Sequence, residues 1–215
     1  DSGVLLSWTK NDLSNNDDHA SEGFTDGVNL LTLGVIHVPE QYKTIQEAVD
    51  AAKSGDIIIV GDGTYNENVV INKSHLIIRS ESGPESTKIK AMNNKKHVFK
   101  LTASYVTVSG FDVSGASDGG MAGIYIMGNS NIISDNWING NSKGIWIESS
   151  EGNRILRNVI KDNTGSGCGI HLNAASPEIV GNTITGDRGD GIRCENGSNP
   201  LIRYNNIYNN SGYYI

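Results

Sequence analysis

The stretch from residue 123 to residue 207 decides the fold, and it opens with Gly123-Ile124-Tyr125-Ile126. The same pattern, a glycine followed by an apolar, a variable and a second apolar residue, returns as Gly144-Ile145-Trp146-Ile147, Gly169-Ile170-His171-Leu172 and Gly191-Ile192-Arg193-Cys194. Apolar residues that alternate with a variable one have the period of a half-buried strand. One such strand cannot bury its apolar face alone, whereas stacked copies bury a continuous column. The stretch is therefore typical of a solenoid.

A second strand follows each copy and carries an asparagine at its fourth position. These asparagines are Asn136, Asn158, Asn182 and Asn205, which lie 22, 24 and 23 residues apart. Asparagine tolerates the left-handed backbone of tight turns, and stacked side-chain amides hydrogen-bond to one another. We therefore expect a structural asparagine ladder at a corner of each coil. Three short strands per coil predict an all-β fold, a right-handed parallel β-helix; an antiparallel sandwich is the alternative.

The composition limits the partners. The chain has 215 residues and a net charge of −7, which argues against nucleic acid and against an anionic membrane surface as partner. No stretch approaches the roughly 18 consecutive apolar residues that a membrane span needs. The chain is rich in asparagine and poor in lysine, a texture that suits an extracellular β-solenoid. We therefore expect an extracellular or cell-surface location.

The chain divides into two predicted regions. Residues 1–35 do not follow the repeat, and their strand patterns and acidic loop predict an atypical segment that could act as an assembly arm. Residues 36–215 are predicted to form the β-helix. Within them, Thr44-Ile45-Gln46-Glu47 is a capping box, which predicts the start of a short helix over about residues 45–53. Apolar residues fall on one face of that helix at helical spacing.

Residues 42–69 resemble the opening of the pectin-lyase-like right-handed parallel β-helix superfamily. The resemblance rests on Tyr42-Lys43-Thr44-Ile45-Gln46-Glu47-Ala48-Val49-Asp50-Ala51-Ala52, Gly55-Asp56-Ile57-Ile58-Ile59-Val60 and Gly63-Thr64-Tyr65-Asn66-Glu67-Asn68-Val69. It implies a solenoid over roughly residues 36–215, with the helix plugging its N-terminal end. The superfamily includes pectin methylesterases, polysaccharide lyases, alginate epimerases, a copper-maturation periplasmic protein and many cell-surface repeat proteins. No catalytic residue follows from the resemblance, because the motifs of the methylesterases and epimerases are missing here.

One outward row of the repeat is a candidate contact surface. Its members stand at the third position of successive strands: Tyr125, Trp146, His171, Arg193 and Tyr214. Two residues further along, a parallel row contains Glu148, Asn173 and Glu195. Aromatic faces stack on sugar rings and amides bind hydroxyls, so the patch could contact a glycan or another subunit. The plainer interpretation is an ordinary outer face, with an arginine–glutamate pair.

The cysteines and histidines predict no bound metal. Cys168 and Cys194 lie one coil apart in different rows, beyond disulfide reach. Cys194 aligns with Leu172 and is expected to point inward, whereas Cys168 at a coil corner is the expected reactive thiol and a possible interchain partner. The histidines are scattered, with no pair at ligand spacing, so neither a metal nor another cofactor is predicted.

Three functions remain open from the sequence. Regular repeats without catalytic motifs favour an extracellular structural solenoid that self-assembles head to tail through its open C-terminal coil, with polysaccharide as a further candidate partner. The alternative is a polysaccharide-active enzyme of the lyase, hydrolase or epimerase class, with Glu148 and Glu195 as a carboxylate pair. A metal carrier is the third hypothesis, because the resembled superfamily includes a copper-maturation protein.

Overall fold

The computed structural model describes residues 33–165, 167–213 and 215. In chain order, its helix and strands are β1 (Val35–Val38), α1 (Ile45–Ala51), β2 (Ile57–Val60), β3 (Gly63–Asn66), β4 (Val69–Ile71), β5 (Ile77–Ser80), β6 (Thr87–Lys90), β7 (Phe99–Leu101), β8 (Thr107–Ser109), β9 (Asp112–Ser114), β10 (Ala122–Ile126), β11 (Ile132–Ser134), β12 (Trp137–Asn139), β13 (Lys143–Glu148), β14 (Glu151–Leu156), β15 (Val159–Lys161), β16 (Ile170–Asn173), β17 (Ser176–Val180), β18 (Thr183–Thr185), β19 (Ile192–Glu195), β20 (Leu201–Arg203) and β21 (Asn206–Tyr208). The atypical segment predicted over residues 1–35, with its proposed role as an assembly arm, lies outside the described residues except for its last three, of which Val35 begins β1.

Three parallel sheets form the sides of a right-handed solenoid of about seven turns. The eight-stranded sheet has the order β1-β2-β5-β8-β11-β14-β17-β20, the six-stranded sheet β4-β7-β10-β13-β16-β19, and the seven-stranded sheet β3-β6-β9-β12-β15-β18-β21. From β2 onward, each strand pairs with the strand three positions later, so every coil adds one strand to each sheet. The predicted parallel β-helix is confirmed, and the antiparallel alternative is wrong.

The interior is a stack of apolar columns. Ile124, Ile145, Ile170 and Ile192 pair in register along the six-stranded sheet, and all four are buried. Close approach requires the glycine that precedes the first three of them: a Cβ added at Gly144 would lie 2.4 Å from the carbonyl oxygen of the next coil's glycine. The repeated Gly-Ile pair thus combines tight coil stacking with core burial.

Helix α1 begins where the sequence predicts. The Thr44 hydroxyl accepts from the Glu47 amide at 3.1 Å, and the Glu47 carboxylate accepts from the Thr44 amide at 3.2 Å. The Glu67 carboxylate, from the next coil, accepts from the Ile45 and Gln46 amides. These contacts satisfy amides that the first turn of a helix leaves free. The buried apolar face of the helix belongs to the same core as the first strands.

Two amide ladders run along the solenoid. In the first, side-chain amides donate from Asn136 to Asn158, from Asn158 to Asn182 and from Asn182 to Asn205, at 3.0, 3.0 and 2.9 Å. A second ladder, absent from the sequence-based expectations, consists of Asn141, Asn163, Asp187 and Asn210. Each ladder side chain accepts from a main-chain amide of the preceding coil. The ladders therefore satisfy the corner amides that the sheets leave unpaired.

Among the described residues, the structure contains no helix with the length and apolarity needed to cross a membrane.

Candidate functional site

The outer face of the six-stranded sheet carries the predicted row. Lys100, Tyr125, Trp146, His171 and Arg193 pair in register on five successive strands, and we call these residues the outer row. Lys100 extends the row beyond the predicted members. Tyr214, the predicted last member, lies outside the described residues. Parallel pairing places successive members about 4.8 Å apart along the solenoid.

The aromatic members of the outer row pack against one another. The ring centroids of Tyr125 and Trp146 are 4.7 Å apart. Those of Trp146 and His171 are 5.7 Å apart, and the planes of these two rings are nearly parallel. His97 also stacks on Tyr125, with centroids 4.3 Å apart, and its ring lies 6.0 Å from that of Trp146. The ammonium of Lys143 sits 4.5 Å from the centre of the Trp146 ring, a cation–π contact. These neighbours cover more of the row than an outer face suggests: Tyr125 is 7% and His171 9% exposed.

The flanking row supplies carboxylates that already hold hydrogen bonds. Glu148 accepts from the Tyr125 hydroxyl and, at 3.1 Å, from the Asn173 amide. Glu195 is 3.0 Å from His171 Nε2 and 3.1 Å from Arg193 Nε. The structure thus joins all seven described members of the predicted patch into one connected network. The plainer interpretation of the row expected Arg193 to pair with one of the two glutamates, and it pairs with Glu195.

The network shifts several pKa values. The hydrogen bond from His171, with a smaller contribution from Arg193, holds the pKa of Glu195 below its usual range. Burial, followed by the hydrogen bond to Glu148, raises the pKa of Tyr125, so its hydroxyl stays protonated and donates. Burial lowers the pKa of Lys143. Burial and the charge of Lys100 lower the pKa of His97 to about 4, so this imidazole is neutral at pH 7.

Sequence reasoning missed the residues that precede the repeated glycine. Lys143 pairs with Ala122, the Ala122 amide donates to His97 Nδ1, and the amide of Gly169 donates to the Asp190 carbonyl. Lys143, His97 and Asp190 therefore occupy the equivalent position in three different coils. The Asp190 carboxylate lies 3.6 Å from the Arg193 guanidinium. An alignment of the coils on the repeated glycine would have shown that this third row contains the charged residues Lys143 and Asp190.

Comparison with known proteins places the chain in a family. The family described as periplasmic copper-binding protein (NosD) matches residues 49–215, most of the chain. The chain belongs to the NosD family. A cell surface glycoprotein of Methanothermus fervidus is 35% identical to it over 86 residues, a match that covers 39% of this chain and 14% of that protein.

Solved structures support the pectin-lyase-like fold. The pectate lyase Pel9A superposes with a TM-score of 0.69 at 15% identity, over 85% of this chain and 55% of that one. A GH87 α-1,3-glucanase catalytic domain, in complex with nigerose, gives 0.62 at 19% identity, over 83% of this chain and 35% of that one. At such identities the likeness shows the fold alone. The chain spans only a small part of the glycoprotein and about half of the lyase.

In the part of this NosD-family chain that the structure describes, the His, Cys, Asp and Glu side chains do not form a donor set that fits a copper site. Within residues 33–165 and 167–213, no three His, Cys, Asp or Glu side chains come together in a group that could hold a metal ion. His171 and Glu195 form a pair, but the neighbours of that pair are Trp146 and the cationic Arg193. Copper sites in proteins use imidazole, thiolate or thioether ligands, and we derive no copper chemistry from these residues.

The cysteine expectations need correction. Cys168, expected to be the reactive thiol, is 1% exposed, and burial raises its pKa to about 12. A thiol that stays protonated and covered neither reacts readily nor pairs with another chain. Cys194, expected to be buried, pairs in register with Leu172 but is exposed. Its strand β19 is the last of its sheet, so no described strand stacks over it.

Proposed function

We propose that this chain is an extracellular or cell-surface β-helix module that binds polysaccharide through the outer row without catalysis. The observation that supports it is the half-buried Trp146 ring of the outer row, flanked by the charged and amide groups of Arg193, Glu148 and Asn173 on a rigid sheet. Sugars are recognised by aromatic faces that pack on their apolar side and by polar groups that bind their hydroxyls. A row of such groups matches a linear ligand better than a compact one.

The location is supported by the relatives. The NosD family is described as periplasmic, and the Methanothermus relative is described as a cell surface glycoprotein. Both descriptions refer to places outside the cytoplasm, where polysaccharides are exposed. The negative net charge of the chain fits a surface protein that does not adhere to anionic polymers non-specifically.

Binding is favoured over catalysis by the state of the two carboxylates. Glycoside hydrolysis needs one carboxyl group that is protonated near neutral pH to act as the general acid. The pKa of Glu195 is lowered, which keeps it ionised. Glu148 accepts two hydrogen bonds, from Tyr125 and from Asn173. A carboxylate that is kept ionised, as Glu195 is, does not give a proton to a leaving group.

The test compares Trp146→Ala with Trp137→Ala. Trp137 lies on β12 of the seven-stranded sheet and is 36% exposed, so it is a matched tryptophan away from the outer row. Binding to a panel of neutral and acidic polysaccharides is measured by calorimetry. We expect Trp146→Ala to weaken binding by about tenfold or more, equivalent to about 1.4 kcal/mol, and Trp137→Ala to leave it unchanged. Arg193→Ala, at an exposed position, provides a second variant if Trp146→Ala folds poorly.

Each outcome of this comparison is informative. Equal binding by the Trp146→Ala variant and the unaltered protein would remove the outer row as the binding surface. The appearance of new reducing ends or unsaturated products, lost in Glu195→Gln, would replace the binding function with the enzyme alternative. Absence of binding to every polysaccharide in the panel would leave the proposal without support.

Self-association is the second candidate function. It is supported by apolar side chains exposed on the last described coil: Leu201, Tyr204, Tyr208 and Tyr213 are 46, 87, 47 and 80% exposed. A second copy that stacked on this coil would cover them, and a head-to-tail contact of that kind continues without closing. Sedimentation at increasing concentration is the test, with Tyr204→Ser and Tyr213→Ser expected to reduce the assembled fraction. A chain that remains monomeric at high concentration would contradict this proposal.

Copper binding, which the family description names, is open to a direct test. Because the described residues provide no group of three donors, we expect Cu(I) and Cu(II) titrations to give no site tighter than micromolar. A stoichiometric tight site would show that copper is held by donors other than those described.

A further inference from the structure

A cavity of about 330 Å³ opens beside the first member of the outer row. Its lining includes Lys95, Lys96, Lys100, His97 and Asn68, and we call it the lysine cavity. Lys100 pairs in register with Tyr125, and His97 stacks on the Tyr125 ring. The cavity is therefore continuous with the outer row, one coil towards the N-terminal end.

The loop that carries two of these lysines is held in place by one side chain. The Asn68 amide donates to the carbonyl oxygens of Asn93 and His97 at 3.1 and 2.9 Å, while its own oxygen accepts from the Asn93 amide at 2.8 Å. The Lys95 amide in turn donates to the Asn93 side chain at 2.9 Å. A loop fixed by this set of bonds presents Lys95 and Lys96 from a constant position, and preorganisation of this kind lowers the entropy lost on binding.

His97 is fixed as a neutral hydrogen-bond donor. Its Nδ1 accepts from the Ala122 amide at 3.0 Å, so the ring proton resides on Nε2. Burial, together with the charges of Lys100 and Lys143, lowers the pKa of His97 to about 4, although the charge of Glu148 acts in the opposite direction. The imidazole therefore keeps one N–H donor and no charge across the physiological pH range.

The cavity is cationic in an acidic protein. The chain has a net charge of −7, yet no carboxylate of the described residues lines the cavity or forms an ion pair with Lys95, Lys96 or Lys100. Besides the apolar Val70 and Met121, the lining consists of three lysines, the His97 imidazole with its N–H donor, and Asn68, whose side-chain oxygen is already bonded to the Asn93 amide. Such a set is satisfied by the oxygens of an anion, which form charge-assisted hydrogen bonds.

We infer that the lysine cavity binds an anionic substituent, a carboxylate or a sulfate or phosphate ester, of the saccharide that lies along the outer row. This inference rests on the proposed function for the saccharide, whereas the anion site rests on the cavity alone. It assigns the ligand to the acidic saccharides. It also predicts a polarity, with the charged group at the Lys100 end and the sugar ring towards Trp146.

The experiment uses matched monosaccharides on the full chain. Methyl glucoside, methyl glucuronoside with its free carboxylate, glucose 6-sulfate and glucose 6-phosphate are titrated by calorimetry and by NMR at low and high salt. The variant Lys95→Ala/Lys96→Ala removes two exposed charges from the cavity. The control Lys88→Ala/Lys90→Ala removes two exposed charges from β6 in the seven-stranded sheet, so that both variants have the same net charge.

We expect the three anionic probes, or one class of them, to bind at least about tenfold more tightly than methyl glucoside. Added salt and Lys95→Ala/Lys96→Ala should remove that preference, and Lys88→Ala/Lys90→Ala should preserve it. The probe that binds best identifies the source of the anion as uronate, sulfate ester or phosphate ester. Equal binding of charged and neutral probes, or an equal loss in the two double variants, would overturn the inference.

The two proposals fail separately. If polysaccharide binding depends on Trp146 but not on the charges of Lys95 and Lys96, the proposed function stands and the anion site is overturned. If the anionic monosaccharides bind and respond to Lys95→Ala/Lys96→Ala while no polysaccharide responds to Trp146→Ala, the anion site stands and the proposed function falls.

Discussion

Asp187 is a carboxylate in a ladder of amides, and replacing it should stabilise the protein. Its Oδ1 accepts from the main-chain and side-chain amides of Asn163 at 3.0 and 2.8 Å. Its Oδ2 is buried and has no hydrogen-bond partner among the described residues. One coil further on, the amide nitrogen of Asn210 donates to the Ile184 carbonyl at 3.2 Å. The repeat therefore places an oxygen of Asp187 where the ladder otherwise has a donor.

The magnitude follows from the pKa. Burial raises the pKa of Asp187 from its ordinary value of 3.8 to about 6. Because the folded state holds the proton more tightly, this group favours folding most below pH 3.8, and that contribution is lost as the pH rises to about 6. A shift of this size corresponds to about 3 kcal/mol of destabilisation above pH 6. Asp187→Asn removes the charge and restores the donor.

The assay is urea unfolding of the unaltered protein and of Asp187→Asn at several pH values between 4 and 8. We expect similar free energies of unfolding near pH 4, a difference that grows towards pH 6, and a constant advantage of about 3 kcal/mol for the variant above it. Asn141→Asp is the matched control: it introduces the same charge two coils away in the same ladder and should destabilise with the same pH dependence. A variant advantage independent of pH, or a loss of stability in Asp187→Asn at pH 7.5, would refute the reasoning.

Three further predictions concern the repeat and its thiols. Asn158→Leu should lower the free energy of unfolding by about 3 kcal/mol because it strands buried partners on both sides of the ladder, and an unchanged melting temperature would count against that ladder. Gly144→Ala should destabilise by about 1–3 kcal/mol or more because the added carbon meets the next coil, whereas Gly119→Ala, with open space around it, should be neutral; equal melting temperatures would contradict this. Cys194 should react with a thiol reagent in the native protein and Cys168 only after unfolding, and rapid modification of both thiols would show that Cys168 is not covered.

The coils and their apolar core could be predicted because coil stacking requires an apolar residue at the same inward position in every turn. An inward position that is filled by isoleucine in one coil is filled by an apolar residue in the next, and the register pairs them directly. The first ladder could be predicted for the same reason. The second ladder has similar spacing, but Asp187 breaks the identity of its members, so matching by residue type missed it.

Burial and contacts within the site could not be predicted from the same pattern. Alternation assigns Tyr125 and His171 to the outer face, and the register agrees, yet both are covered by side chains from other rows and coils. Cys194 shows the opposite case, because its inward position gives burial only where another coil stacks over it. In a solenoid, the alternation of residues along a strand determines whether a side chain points inward or outward. Its exposure depends on residues in other coils, about 20 or more positions away in the sequence.

The same separation explains why membership of the NosD family does not determine the ligand. Inward isoleucines, repeated glycines and corner amides are required by coil stacking, and they are the features that a family match over residues 49–215 can share. The outer row is under no such requirement, since any side chain that tolerates a sheet surface can stand there without disturbing the core. In this chain, Lys100 and the lysine cavity lie at one end of the outer row, the aromatic rings lie in the middle, and Arg193 with its partner Glu195 lies at the other end. A copper-binding relative can therefore have the same solenoid with a different outer row, and we propose the outer row and the lysine cavity as the places to look for a ligand of this chain.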